Sequence, residues 1–149
     1  MAALSNYMEN KIIDAMFRNQ SFPSIPALYF ACFKVAPTDT GGGTEVTGGS
    51  YARAAVTASM ANFAGTQGAG TTSGSNGTSG TTSNNIDIQF PSPTANWGTV
   101  LAMAVFDAAS GGNMLCYGPI SPAKVVNSGD LPPKFSIGQW AFQIDTDVD

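Results

Sequence analysis

Apolar residues along this chain follow two different periods. Near the start, Leu4, Met8, Ile12 and Met16 recur every fourth residue, and Ile13 and Phe17 widen the stripe, the spacing of one face of an α-helix. Ser5 or Asn6 suits the N-cap, Asn6 with Glu9 three residues on resembles a capping box, and Pro23 and Pro26 stop the helix. The pattern predicts a helix over 5–19. Two uses of it stay open: packing on the domain's own sheet, or docking on a partner subunit.

The remainder reads as β. From Ala27 to Val35 the apolar set Leu28, Phe30, Cys32 alternates with Tyr29, Ala31, Phe33, as in a strand covered on both faces. Tyr51 to Phe63, rich in Ala, Val and Thr, reads as a long strand. Ile86, Ile88 and Phe90 point inward and Asp87 and Gln89 outward, the alternation of a half-buried strand. Trp97–Phe106 is a two-sided apolar strand, and Asn113–Tyr117 follows the turn signal Ser110-Gly111-Gly112, so the pair predicts a hairpin. Phe135 and Ile137, then Trp140, Phe142 and Ile144, change parity around Gly138, which suggests a bulge. Six or seven strands with turn-rich spacing and no helices between them predict a mainly β fold. The expected architecture is an antiparallel β-sandwich, jelly-roll-like, with one N-terminal helix and long Gly-rich loops. The aromatics Phe30, Phe33, Phe63, Phe90, Phe106 and Trp97 sit at strand parity, as do Phe135, Trp140 and Phe142, and are core candidates.

Two segments break the pattern. Thr38–Ser50 is Gly-rich and reads as a hairpin tip. In Gly65–Asn85, sixteen of twenty-one residues are Gly, Ser or Thr, and no apolar side chain exceeds alanine. Such a stretch buries too little to fix itself. It reads as a flexible loop, or as an arm held by a neighbouring subunit, and its excision is expected to leave the rest folded.

Charge sharpens the picture. The 149 residues carry ten acids, six bases and no histidine, a net charge of −4, and only 11% are charged, against roughly 25% in an average globular protein. A single domain, 1–149, of this mass should expose roughly 7,000 Å². Its thin charged coat suits a subunit covered by neighbours better than a free monomer. Lack of histidine excludes Ser-His and Cys-His catalysis and imidazole metal ligands. Six scattered bases argue against nucleic acid as a partner, and no apolar run approaches the ~20 residues that span a membrane. The first ten residues show neither a basic nor an apolar signal-peptide region. Cys32 and Cys116, lying in apolar runs, are therefore expected as buried free thiols rather than a disulfide.

No motif carries chemistry. Asp39-Thr40-Gly41 is the aspartic-protease triplet, but Pro37-Thr38 before it and Gly42-Gly43 after it make a turn. Asp145, Asp147 and Asp149 could offer oxygens to calcium but lack the turns and carbonyls that complete a shell. Gly68-Ala69-Gly70 lacks the third glycine and the helix of a phosphate loop. Neither Gly-x-Ser-x-Gly nor Gly-Lys-Ser/Thr occurs. The expectation is a protein that is not an enzyme, with no catalytic residue, cofactor or metal.

Three blocks of residues carry a resemblance. The first is Leu4-Ser5-Asn6-Tyr7 with Glu9-Asn10-Lys11, Phe17-Arg18, Leu28-Tyr29 and Pro37-Thr38-Asp39. The second is Glu45-Val46 with Gly48-Gly49-Ser50-Tyr51-Ala52-Arg53. The third runs from Trp97-Gly98-Thr99-Val100 through Phe106–Asn113, Leu115 and Tyr117-Gly118 to Val126–Asp130. In this order the chain resembles, over almost its whole length, the small tailed-bacteriophage virion proteins usually labelled "phage tail fiber protein". It departs from them in a longer 65–85 loop and in Pro132-Pro133.

The resemblance implies a non-enzymatic structural role in the virion, with assembly in the bacterial cytoplasm. The leading expectation is a head-decorating (cement) subunit that bridges capsid subunits, and the alternative is a tail-fibre or tail-tip protein in contact with the host. Expected partners are other copies of the chain, as a homotrimer, and the major capsid protein or tail proteins. Thr71, Ser75, Asn76, Ser79 and Thr82 of the loop and Tyr7 and Met8 of the helix are the candidate interface residues.

Overall fold

In the computed structural model, which describes residues 3–144, a two-residue strand β1 (Ala3–Leu4) runs straight into α1 (Asn6–Phe17). Ser5 is the N-cap: it is extended, and its hydroxyl accepts from the Met8 amide at 3.2 Å, satisfying one of the free donors of the first turn. The same hydroxyl donates to the Met114 carbonyl and ties the helix start to the sheet. Asn6 is thus the first helical residue, and no Asn6–Glu9 box forms. The helix ends two residues short of the predicted 19, where Asn19 takes a positive φ of 53°. Met8 is 6% exposed, and Leu4, Tyr7 and Ile12 pack half-buried beside it. The C-terminal part of the stripe behaves otherwise: Ile13 is exposed, and Met16 and Phe17 are 68% and 77% exposed.

The strands that follow are β2 (Ala27–Val35), β3 (Thr44–Glu45), β4 (Ala54–Thr57), β5 (Thr81–Ser83), β6 (Ile88–Gln89), β7 (Gly98–Phe106), β8 (Met114–Val126), β9 (Lys134–Phe135) and β10 (Ala141–Gln143). Six of the ten form one antiparallel sheet in the order β1-β8-β7-β2-β3, with β4 also on β2. β2 is its central strand: Tyr29–Phe33 pair with Phe106–Ala102 of β7, while the opposite edge is shared by β4 at Ala27–Phe30 and β3 at Phe33–Val35. Two ribbons, β5/β10 and β6/β9, form a partial second layer. The main core lies between them. Phe30, Val56, Val100, Val105 and Val126 of the sheet meet Ile88 and Phe90, with Phe135, Trp140 and Phe142 packed against them. Phe30 and Trp140 meet edge to face with centroids 5.1 Å apart. The opposite sheet face carries a smaller cluster, Ala31, Phe33, Ala102, Ala104 and Met114, flanked by Phe106 and Tyr117. The architecture is mainly β and β-sandwich-like, with one helix.

Several predicted elements change length. The strand expected over 51–63 is confined to Ala54–Thr57, because Tyr51 turns inward and a turn closes at Ser59, whose hydroxyl accepts from the Asn62 amide. The strand expected to end at Tyr117 runs on to Val126, through Gly118, Pro119 and Pro122, residues that the strand pattern disfavours. Gly138, with a φ of 76°, lies in the turn between β9 and β10 and forms no bulge. Cys32 and Cys116 are buried and unbridged. The acidic 145–149 segment lies outside the described residues.

Candidate functional site

The most elaborate polar arrangement is built where the edge of β2 passes from β4 to β3. Between those partners the Cys32 amide would lack an acceptor, and the Tyr51 hydroxyl accepts it at 2.9 Å. Tyr51 in turn donates to Glu45 Oε1 at 2.9 Å. Arg53 grips the same carboxylate with both prongs, Nε to Oε1 at 2.9 Å and Nη2 to Oε2 at 2.8 Å, the paired geometry that makes an arginine–carboxylate contact strong. Its Nη1 donates to the carbonyls of Ala108 and Gly111, both at 2.8 Å, and the guanidinium lies 3.7 Å from the centroid of the Phe106 ring. The Arg53 side chain is 6% exposed and that of Glu45 25%. Burial holds the Tyr51 phenol above its ordinary range. It also pushes the Cys32 thiol, with a smaller contribution from the negative charge of Glu45, up to about 12, and the Cys116 thiol likewise to about 12.

This cluster is a clasp. It joins the β2 edge to the β7–β8 turn, which is itself set by Asp107: its Oδ1 accepts from the Asn113 amide at 2.7 Å and its Oδ2 from the Asn113 side chain at 2.8 Å. Glu45, Tyr51, Arg53, Phe106, Ala108, Gly111 and Asn113 all belong to the second and third resemblance blocks. Their spacing in sequence therefore records one three-dimensional contact. Sequence reasoning did not single out Glu45 and Arg53 as a pair. The available signal was a rare base and a rare acid eight residues apart beside an apolar strand.

A second hub is Asn84, wholly buried. Its Nδ2 donates to the carbonyls of Ile86 at 2.7 Å and Ser136 at 2.9 Å, and its Oδ1 accepts from the Trp140 amide at 2.9 Å. One side chain thus fastens the two ribbons together.

The 65–85 segment is ordered by hydrogen bonds and not by burial. The Gly65 amide donates to Thr71 Oγ1 at 2.9 Å, and Thr71 Oγ1 to the Gly68 carbonyl at 2.7 Å. Gln67 donates to Ser73 at 3.0 Å and to the Gly74 carbonyl at 3.2 Å, and accepts from the Asn76 amide at 3.3 Å. Ser75 accepts weakly from the Thr66 amide, Ser79 donates to the Thr66 carbonyl at 2.6 Å, and Thr82 donates to the Ala64 carbonyl at 2.8 Å. The five loop residues expected at an interface, Thr71, Ser75, Asn76, Ser79 and Thr82, are thus each engaged within their own chain. The expectation that the stretch is unable to fix itself is corrected, since hydroxyl and amide groups close it without any apolar core. Excising 65–85 would also remove β5 and Asn84. Of the helix pair, Met8 is part of the chain's own core and Tyr7 leans against that core.

A groove runs between β8 and the ribbons. One section, about 650 Å³, has Cys32, Phe90, Val100 and Val126 in its lining and Leu131 and Lys124 at the rim, and an adjoining section of about 370 Å³ lies beside Cys116, Ile120 and Trp140. Among the described residues no three Cys, Asp or Glu side chains are grouped to hold a metal ion, and no helix is long and apolar enough to cross a membrane. Asp39 sits exposed in a Thr38–Gly41 turn and accepts the Thr40 amide at 2.9 Å, a local turn contact.

No curated protein matches the chain. The family described as Podophage GP4 fiber I protein gp80 matches residues 3–143, spanning the clasp, the Asn84 hub, the loop and the groove. Nearly the whole described fold is thus the family's own unit, and the chain belongs to this family of phage fibre proteins, structural components of the virion.

Proposed function

We propose that this protein is a fibre-associated component of the phage tail, working as a non-catalytic building block, in preference to a cement on the head. The observation that carries this reading is the match to a fibre protein family over residues 3–143. A second point favours it. The cement reading drew on a loop thought to need a neighbour for order, and that loop is satisfied by bonds within its own chain. The chain lacks the internal repeats of a fibrous shaft, so it supplies a compact module at a fibre's base or tip.

Copy number tests this directly. Quantitative mass spectrometry of purified particles, scaled to the major capsid protein, should return a small number of copies characteristic of a tail, and antibody labelling in electron micrographs should mark tails. Hundreds of copies per particle, or label spread over heads, would overturn the reading in favour of decoration.

A further inference from the structure

We propose that Asn76-Gly77 is a self-modifying site: the Gly77 amide nitrogen attacks the Asn76 carboxamide, and position 76 converts to aspartate and isoaspartate at a rate that Thr66 restrains. Asparagine is among the thermally labile residues, and the reaction is fastest where the next residue has no Cβ to crowd the approach of its nitrogen. The chain has ten asparagines, and Asn76 alone precedes a glycine. Both residues of the pair are exposed. Asn76 meets Gln67 through its main-chain amide, at 3.3 Å, and its carboxamide makes no hydrogen bond among the described residues. Asn62, Asn84, Asn85 and Asn113 differ, since each has its carboxamide tied to a carbonyl or a carboxylate. Asn127 precedes the small Ser128 but is protected in another way: the Ser128 amide is held by Asn96 Oδ1 at 2.8 Å.

Packing explains why the labile pair is present. Gly77 rests on the chain at Thr66 and Gln67, and a Cβ at 77 would collide with the Thr66 carbonyl and the Gln67 backbone. The loop therefore closes in this way only with glycine there. The same closure supplies a brake. The Gly77 N–H donates to Thr66 Oγ1 at 3.0 Å, and Thr66 Oγ1 donates to the Gly77 carbonyl at 3.3 Å. The nitrogen must leave this hydroxyl and give its proton to hydroxide before it attacks Cγ of Asn76; in a loop that buries so little, such openings are cheap. The N–Cγ bond forms, the Cγ–Nδ2 bond breaks, and Nδ2 leaves as ammonia with a proton from water. Water then opens the cyclic imide at the side-chain carbonyl, which leaves aspartate, or at the main-chain carbonyl, which leaves isoaspartate and a main chain longer by one methylene. The net exchange consumes one water and releases one ammonia. Residues 65–85 contain no charged side chain, so the reaction places the first charge on this loop, and the longer main chain lifts Gly77 off its seat. This inference does not depend on where in the virion the protein sits.

The test is peptide mapping by mass spectrometry of the full chain aged in heavy-oxygen water at physiological temperature and mildly alkaline pH. Position 76 should convert before any other asparagine, to both isomers, each carrying one heavy oxygen, and faster as the pH is raised. Thr66→Val should convert roughly fivefold faster at an unchanged melting temperature, the factor that one ordinary hydrogen bond is worth. Thr66→Ser, which keeps the hydroxyl, should return the rate to that of the wild type. Gln67→Ala loosens the same loop but leaves the Thr66–Gly77 bond, and should speed the reaction less than Thr66→Val does. Conversion that starts at Asn127, aspartate formed without isoaspartate, a Thr66→Val chain that ages at the wild-type rate, or a Thr66→Ser chain that ages as fast as Thr66→Val would each overturn the proposal.

Discussion

Arg53 shows how one side chain can hold three parts of a fold, because four of its N–H···O contacts reach the Glu45 carboxylate and two turn carbonyls. Arg53→Met would leave the Glu45 carboxylate without its cation and two carbonyls without a donor. The expected cost is about 2–4 kcal/mol, a melting temperature lower by roughly 5–15 °C for a chain of this length, and Glu45→Gln/Arg53→Met should lose less than the sum of the single changes. Asn84→Leu tests the other hub: the Ile86 and Ser136 carbonyls and the Trp140 amide lose their partner, and the urea midpoint should fall by the equivalent of about 2–4 kcal/mol. The thiols give a pH signature. Unfolded, Cys32 and Cys116 ionise near 9.0, and folded near 12. Unfolding then releases protons above pH 9.0, so the stability they contribute is complete below that value and is lost as the pH climbs towards 12. Cys32→Ala/Cys116→Ala should flatten the alkaline fall of the urea midpoint between those two values.

Helix, strands and turns differ in how much of them the sequence disclosed. The helix was readable because period, cap and stop agree. The central strands β2 and β7 were readable because both faces are apolar over Ala27–Phe33 and Val100–Phe106. The clasp was not, since its parts are 8 and 55 residues apart and only pairing of β2 with β7 brings them together. The full length of β8 was missed because no local pattern reports what permits its prolines: β1 covers only Cys116 and Tyr117, leaving Pro119 on an open side, and Pro122 falls in the register irregularity opposite Val100–Ala102. Order in the 65–85 loop was missed because hydroxyl-to-backbone bonding leaves no hydrophobic period to detect. The β7–β8 turn offers a sharp test. Gly112 has a φ of 74°, and a Cβ there would come within 2.5 Å of Asp107 Oδ1 and 2.6 Å of the Ala108 Cβ. Gly112→Ala should thus cost about 1–3 kcal/mol, read as a lower thermal midpoint, and it should weaken the coupling between Glu45 and Arg53 in the same double-mutant comparison. Gln67→Ala, by contrast, unties three loop contacts and should speed proteolysis within 68–79 while moving the global melting temperature little.

At the scale of the whole molecule, the sandwich and the loop are separable structures joined at a narrow neck. The Ala64 amide donates to the Ser83 carbonyl at 2.9 Å and the Asn85 amide to the Asn62 carbonyl at 2.8 Å, so the chain leaves and re-enters the fold at nearly one point. Replacing residues 68–78 by a short Gly-Ser bridge, with β5 and Asn84 retained, should yield a folded protein whose urea transition stays cooperative. The neck has a practical corollary. Lengthening a loop whose ends are already fixed together costs only about 0.6 kcal/mol per doubling, so foreign sequence inserted near Ser73–Ser75 would be tolerated by the domain and displayed outward, a ready position for grafting an epitope or a new adhesive peptide onto the phage.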